Sequence, residues 1–189
     1  GKAVHYICDE QSEWYPDIDD IKKKVNDKTK AIVLINPNNP TGAIMEKEDL
    51  EAIAEVVKKH DLFVISDEIY SELTYGQNHV SIASLDGMAE RTIIINGFSK
   101  AYAMTGWRLG YALGHPAFIS QMTKIHQFAI MSAPTTSQYA AIEALKNGDG
   151  DIERMKKEYN RRRRLITKGF NDMGLECFEP LGAFYVFPC

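Results

Sequence analysis

Five kinds of reactive or ligand-binding side chain follow short apolar runs in this sequence. Past Ala31–Ile35 the chain enters the amide-rich loop Asn36-Pro37-Asn38-Asn39-Pro40-Thr41-Gly42. Past Leu62–Ser66 it presents an acid and a phenol in Asp67-Glu68-Ile69-Tyr70. Past Thr92–Asn96 it runs through Gly97-Phe98-Ser99 to a lysine, Lys100, and eight residues later to Arg108. Each feature alone has a plain structural reading. N-P-x-N-P-x-G is a double turn, Asp67 can cap a helix, and a lysine is most often a surface charge. Together they answer to one chemistry, because ligands of open α/β sheets bind outside the carboxyl ends of the strands, where all five groups fall.

That chemistry is carbonyl chemistry on an amine. A lysine that forms a Schiff base needs a carbonyl cofactor, and pyridoxal phosphate needs three supports beside it. Its ring nitrogen needs a fixed carboxylate, its 3-oxygen needs hydrogen-bond donors, and its phosphate needs an arginine fork with hydroxyl or backbone donors. Asp67, then Asn39 with Tyr70, then Arg108 can supply these in order.

The elements that must position these groups alternate. Glu46–His60 carries Leu50, Ile53, Ala54 and Val57 on one helical face. Trp107–Leu113 is a further strand candidate. The apolar runs suggest strands buried on both faces, hence an α/β fold with a largely parallel sheet and flanking helices. Val4–Cys8 reads as a strand and Pro16–Val25 as a short helix with Asp17, Asp19 and Asp20 at its start, where the helix dipole favours acids. The second half is helical: Pro116–Met131, Pro134–Lys146 and a long charged helix from about Asp151 to Asp172. Leu175–Phe178 and Ala183–Phe187 read as strands. The composition shift near Asn147 divides the chain into residues 1–148 and 149–189, the second piece opening a small α+β domain.

Composition excludes several classes. The 189 residues carry 22 Lys plus Arg against 26 Asp plus Glu, a net charge of −4, with 44% apolar residues. That is an ordinary globular composition, with no disordered or low-complexity signature. The mildly acidic balance argues against nucleic acid as a partner. No apolar run approaches the roughly 18 residues of a membrane helix, so no membrane partner is indicated. Cys8, Cys177 and Cys189 form no C-x-x-C pair, and the five histidines form no H-E-x-x-H pair, so no metal site is expected and a reducing, cytoplasmic setting fits. Arg161–Arg164 reads as a solvated helix face. The chain opens without Met and stops on an aromatic run that reads as a strand, which suggests a piece of a longer protein.

The blocks N-P-N-N-P-T-G, D-E-I-Y and G-F-S-K-A-Y-A-M-T-G-W-R, in this order and spacing, resemble the signature blocks of the class I/II aminotransferases, pyridoxal-phosphate enzymes of fold type I. Glu179–Tyr185 resembles that family's G-x-F-Y block, so the resemblance spans the whole chain. It implies that Lys100 holds the cofactor as a Schiff base and moves the α-proton of the substrate. It also implies that Asp67 faces the ring nitrogen, that Asn39 and Tyr70 donate to the 3-oxygen, and that Arg108 holds the phosphate with Ser99 as a further phosphate contact. Many relatives have a serine where this chain has Gly97, so one phosphate hydroxyl is expected to be missing. The Asn39–Pro40 bond is expected to be cis, and the full-length protein is expected to be a homodimer acting on amino acids and 2-oxo acids. Relatives also carry an N-terminal phosphate turn, a ring-stacking aromatic residue and a later arginine for the substrate carboxylate. None of these occurs here, so the piece alone is expected to be inactive and to hold the cofactor weakly. Three other readings are a pyridoxal-phosphate carbon–sulfur lyase, a sensor domain of a transcription regulator, and an α/β module binding a phosphorylated small molecule.

Overall fold

The structure, a computed structural model, describes residues 1–188; the third cysteine of the sequence, Cys189, lies outside them. Four strands, β1 (Ala31–Ile35), β2 (Phe63–Asp67), β3 (Thr92–Gly97) and β4 (Gly110–Leu113), form one sheet in sequence order. The β1–β2 and β2–β3 pairs are parallel, and β4 joins β3 antiparallel. The sheet is therefore mixed, with its parallel part where the continuous apolar runs placed it. The expected strand Trp107–Leu113 is shorter because Thr105–Trp107 form a turn of 3₁₀ helix and Arg108 is left-handed, φ 52°.

The described residues also form five α-helices: α1 (Ile18–Lys24), α2 (Lys47–Lys59), α3 (Pro116–Ala129), α4 (Thr135–Asn147) and α5 (Asp149–Asp172). Helix α1 starts where Asp17 accepts a hydrogen bond from the Asp20 N–H at 2.9 Å, and α2 where Asp49 accepts from the Glu46 N–H at 3.1 Å. Such side chains satisfy donors that the first turn leaves free. The main core lies between one sheet face and α1 with α2. Ile32, Leu34 and Val64 meet Ile21, Leu50, Ile53 and Val57 there. Ile53 and Val57 have no exposed surface, and burial of such side chains stabilises by about 1.5–3 kcal/mol each.

Strands buried on both faces are not what the described residues show. In β1 and β2 exposure alternates, and Val33 (52%) and Phe63 (41%) lie open on the second face. Helix α3 covers part of that face, with Phe118 edge-on to Phe63 at 4.8 Å between centroids. Three strand expectations also fail. Val4–Cys8 finds one bridge, Cys8 to Pro16, and leaves Val4, His5 and Ile7 exposed while Tyr6 and Cys8 are half-buried. Leu175–Phe178 makes one bridge, Cys177 to Pro188. Ala183–Phe187 cannot run as a ladder because Ala183 is left-handed, φ 57°, and turns the chain after the Thr74–Gly182 bridge. The arginine run is not wholly a solvated face either. Arg163 is 9% exposed, donating to Glu179 and the Pro180 carbonyl at 2.8 and 2.9 Å and lying 5.1 Å from the Tyr75 ring centroid. Among the described residues no helix is long and apolar enough to cross a membrane, and no group of His, Cys, Asp or Glu could hold a metal ion.

Candidate active site

Strand register places the reactive groups side by side. Ile35, the last residue of β1, is opposite Asp67, the last of β2, and Asp67 is opposite Ile95 of β3. The three strand ends therefore open on one edge of the sheet. The first loop is locked from within. Asn38 accepts from the Thr41 hydroxyl at 2.8 Å, its N–H donates to the Ala43 carbonyl at 2.8 Å, and the Gly42 N–H donates to the Asn38 carbonyl at 3.0 Å. The Asn39–Pro40 bond is cis, as the resemblance implies, and so is Asn36–Pro37. Gly42 has φ +75°, and a Cβ there would lie 2.4 Å from Cβ of Pro180, so only glycine fits. Asn39 itself stands exposed on this loop and makes no hydrogen bond to Asp67, Tyr70 or Lys100 among the described residues.

Asp67 is half-buried, and its Oδ1 accepts from the Ile69 N–H at 3.1 Å, which fixes the carboxylate at the end of the strand. Three residues on, Tyr70 is 2% exposed, packed with Leu73 and Ala183. Its hydroxyl is hydrogen-bonded to that of Tyr185. Burial above all, then this bond and the nearby Asp67 charge, push the Tyr70 phenol well above its ordinary value. Lys100 lies against this aromatic group, with Nζ 5.6 Å from the Tyr70 centroid and 5.7 Å from that of Phe184. A cation within about 6 Å of a ring is attracted to its face. No carboxylate pairs with Lys100 among the described residues.

Ser99 and Arg108 meet through Thr105, whose hydroxyl donates to the Ser99 carbonyl at 3.0 Å and whose carbonyl accepts from Nη1 of Arg108 at 2.8 Å. Arg108 is exposed and without a carboxylate partner among the described residues. Gly97 has a physical reason here: a Cβ would lie 2.9 Å from Cα of Gly110 where β3 and β4 pair. The structure thus brings Asp67, Tyr70 and Lys100 into one cluster and Ser99 and Arg108 into a second on the same loop. The donor set fits pyridoxal phosphate: among the described residues, an amine and a guanidinium without carboxylate partners, a carboxylate with one oxygen free of protein donors, a buried phenol and a half-buried one.

Comparison with known proteins decides the lineage. The family profile described as aminotransferase class I and II matches residues 1–188. The chain belongs to the class I and II aminotransferases. Among similar family members, the aspartate aminotransferase of Pyrococcus abyssi is 48% identical over 100% of this chain and 49% of its own length. The aromatic-amino-acid aminotransferase 2 of Thermococcus litoralis is 45% identical over the same shares. The crystal structure of an aromatic aminotransferase from Pyrococcus horikoshii superposes with a TM-score of 0.92 at 50% identity, over 95% of this chain and 49% of that one. A double mutant of Thermus thermophilus aspartate aminotransferase gives 0.94 at 38% identity, over 98% and 49%. The chain thus spans about half the length of the aminotransferases it matches.

Two groups escaped the sequence reading. Tyr185 belongs to the G-A-F-Y block, but its bond to Tyr70 spans 115 residues and leaves no local signal. Behind the cluster, Glu68 is buried and accepts from Ser66 at 2.9 Å, Ser81 at 2.7 Å and His79 at 3.1 Å. Burial alone would raise this carboxyl, but the three hydrogen bonds and the imidazole hold it below the ordinary carboxylate value. A glutamate next to Asp67 in D-E-I-Y, with a histidine eleven residues on, has no period that would mark the pair.

Proposed function

We propose that the protein of which this chain forms about half is a pyridoxal-phosphate-dependent aminotransferase, moving an amino group from an amino acid to a 2-oxo acid. The observation that carries the reading is Lys100, an amine without a carboxylate partner among the described residues, held against Tyr70 and Phe184 beside the strand that ends at Asp67. The aminotransferase names of the relatives support it over a carbon–sulfur lyase, a regulator's sensor domain or a plain phosphate-binding module.

Pyridoxal phosphate, when bound, supplies an electron sink for the bond-breaking at the amino acid's α-carbon. Lys100 would hold the cofactor by its amine and, once released, move the α-proton as a general base. Asp67 would keep a proton on the ring nitrogen, an electrostatic support fixed in advance by the Ile69 N–H. Asn39 and Tyr70 would donate to the 3-oxygen. Arg108 would bind the phosphate, with Ser99 beside it on the same loop. Residues 1–148 would belong to the cofactor-binding domain and 149–189 would begin the smaller one, a division that the start of α5 at Asp149 supports. A homodimer is supported by the bare apolar side chains of Phe128 (96%) and Met131 (79%) at the end of α3. A cytoplasmic setting agrees with the free thiols of Cys8 and Cys177.

The test is borohydride reduction of the full-length protein with pyridoxal phosphate, followed by peptide mapping. Label is expected on the peptide containing Lys100, and Lys100→Ala should lose both the label and amino transfer. Label on another lysine, or turnover retained in the variant, refutes the assignment.

A further inference from the structure

The Tyr70–Tyr185 bond joins the cluster to a distant part of the chain. Residues 181–183 are strapped across the loop after Tyr70. The Ala183 N–H donates to the Leu73 carbonyl at 2.8 Å, the Tyr75 N–H to the Leu181 carbonyl at 2.8 Å, and the Tyr75 hydroxyl to the Ala183 carbonyl at 2.7 Å. The Tyr185 ring packs at a steep angle on Tyr70, 5.6 Å between centroids. Both partners are therefore held, and their hydroxyls meet by construction of the fold. A phenol carries one proton and can also accept. If Tyr70 gives its proton to a ligand, its bond with Tyr185 must run the other way.

We infer that Tyr185 is a positioning residue acting through Tyr70: its hydroxyl donates to Oη of Tyr70 and so aims the single proton of Tyr70 at the 3-oxygen of pyridoxal phosphate. This rests on the proposed function, and it adds a member to the site from outside the three strand-end loops. A hydroxyl that accepts a hydrogen bond also becomes a better donor, since chained bonds polarise one another. The ionisable groups around Tyr70 are Asp67 at the end of β2, Lys100 in the loop after β3, Tyr159 on α5 and Tyr185 itself. Of these, Tyr185 is the one whose hydroxyl is bonded to that of Tyr70.

The experiment is a pH titration of the visible absorbance of the full-length protein loaded with pyridoxal phosphate, for the wild type, Tyr70→Phe, Tyr185→Phe and the double variant. Losing a donor at the 3-oxygen leaves its negative charge less stabilised, so the neighbouring nitrogen that links cofactor and lysine holds its proton to higher pH. Tyr70→Phe is expected to raise the midpoint by about one unit or more, and Tyr185→Phe by about 0.3–1 unit. The double variant should match Tyr70→Phe alone, because Tyr185 has no route except through that hydroxyl. A Tyr185→Phe midpoint equal to wild type while Tyr70→Phe shifts, or shifts that add in the double variant, overturns the inference and leaves the role of Tyr70 standing. No shift in Tyr70→Phe overturns both. Phenylalanine keeps the ring packing on Tyr70 and Phe184, and near-ultraviolet circular dichroism of the cofactor-free protein checks that the fold is unchanged.

Discussion

Replacing Glu68 by glutamine removes one charge from a buried cluster and leaves its shape alone. The ionised carboxylate can only accept, so Nε2 of His79, 3.1 Å away, must carry hydrogen, while Nδ1 is buried without a partner. In Glu68→Gln the two serine hydroxyls at 2.9 and 2.7 Å favour the amide oxygen on their side, which turns the amide NH2 toward Nε2. The imidazole proton must then move to Nδ1 and become a buried donor with no acceptor, at about 1–3 kcal/mol. The three bonds to Glu68 also become neutral ones, which are weaker by about 1 kcal/mol each. Relief from burying a charge offsets part of this, and the net loss is about 2–4 kcal/mol at pH 7. In urea the midpoint should fall by about 1–2 M for a slope near 2 kcal/mol/M. The folded carboxyl lies below its unfolded value, so its contribution is complete above about pH 4.3 and fades as pH falls through the folded value. The gap between wild type and variant should therefore narrow on acidification. A loss under 0.5 kcal/mol at pH 7, or a gap unchanged from pH 7 to pH 3, would refute the reasoning.

Two further substitutions test the packing. In Gly182→Ala the new Cβ would lie 2.4 Å from Cβ of Pro37, so the amide loop or the C-terminal segment must shift; overpacking of this kind costs about 1–3 kcal/mol, and a melting temperature equal to wild type would be the contrary result. Arg163→Met leaves the Pro180 carbonyl without its donor and should cost about 1–3 kcal/mol, whereas Arg161→Met and Arg162→Met, whose partner Glu158 is solvated, should leave the urea midpoint close to wild type; equal urea midpoints for the three variants would return Arg163 to the surface.

What the sequence made legible was local. The runs Ala31–Ile35 and Thr92–Asn96 became β1 and β3 almost residue for residue, and the 3.6-residue spacing of Leu50, Ile53, Ala54 and Val57 became the buried face of α2. The strand-end loops could be read because turn and chemistry occupy the same few residues. What escaped needed partners far along the chain. Nothing near Val4–Cys8 says whether a strand will find a neighbour, and nothing near Arg163 says that Glu179 and Pro180 will close over it. Asn39 shows the limit from the other side: its loop was legible, but the structure leaves its side chain exposed, so only the resemblance ties it to Asp67, Tyr70 and Lys100.

Residues 180–185 reach two of the strand-end loops and the lysine. The Gly182 N–H donates to the Gly42 carbonyl at 2.8 Å, Pro180 abuts Gly42, and Ala183 and Leu181 pair with Leu73 and Tyr75. Phe184 faces Lys100 and Tyr185 bonds Tyr70. The glycines are what permit this contact, since Cβ atoms at 42 and 182 would both drive the segment off the loop. One segment therefore sets the spacing between the amide loop, the phenol and the amine. A change in it would disturb all three together, whereas a change in Asn39 would disturb one. Sequence blocks that lie 140 residues apart are held against one another in this fold by backbone bonds and not by side chains alone.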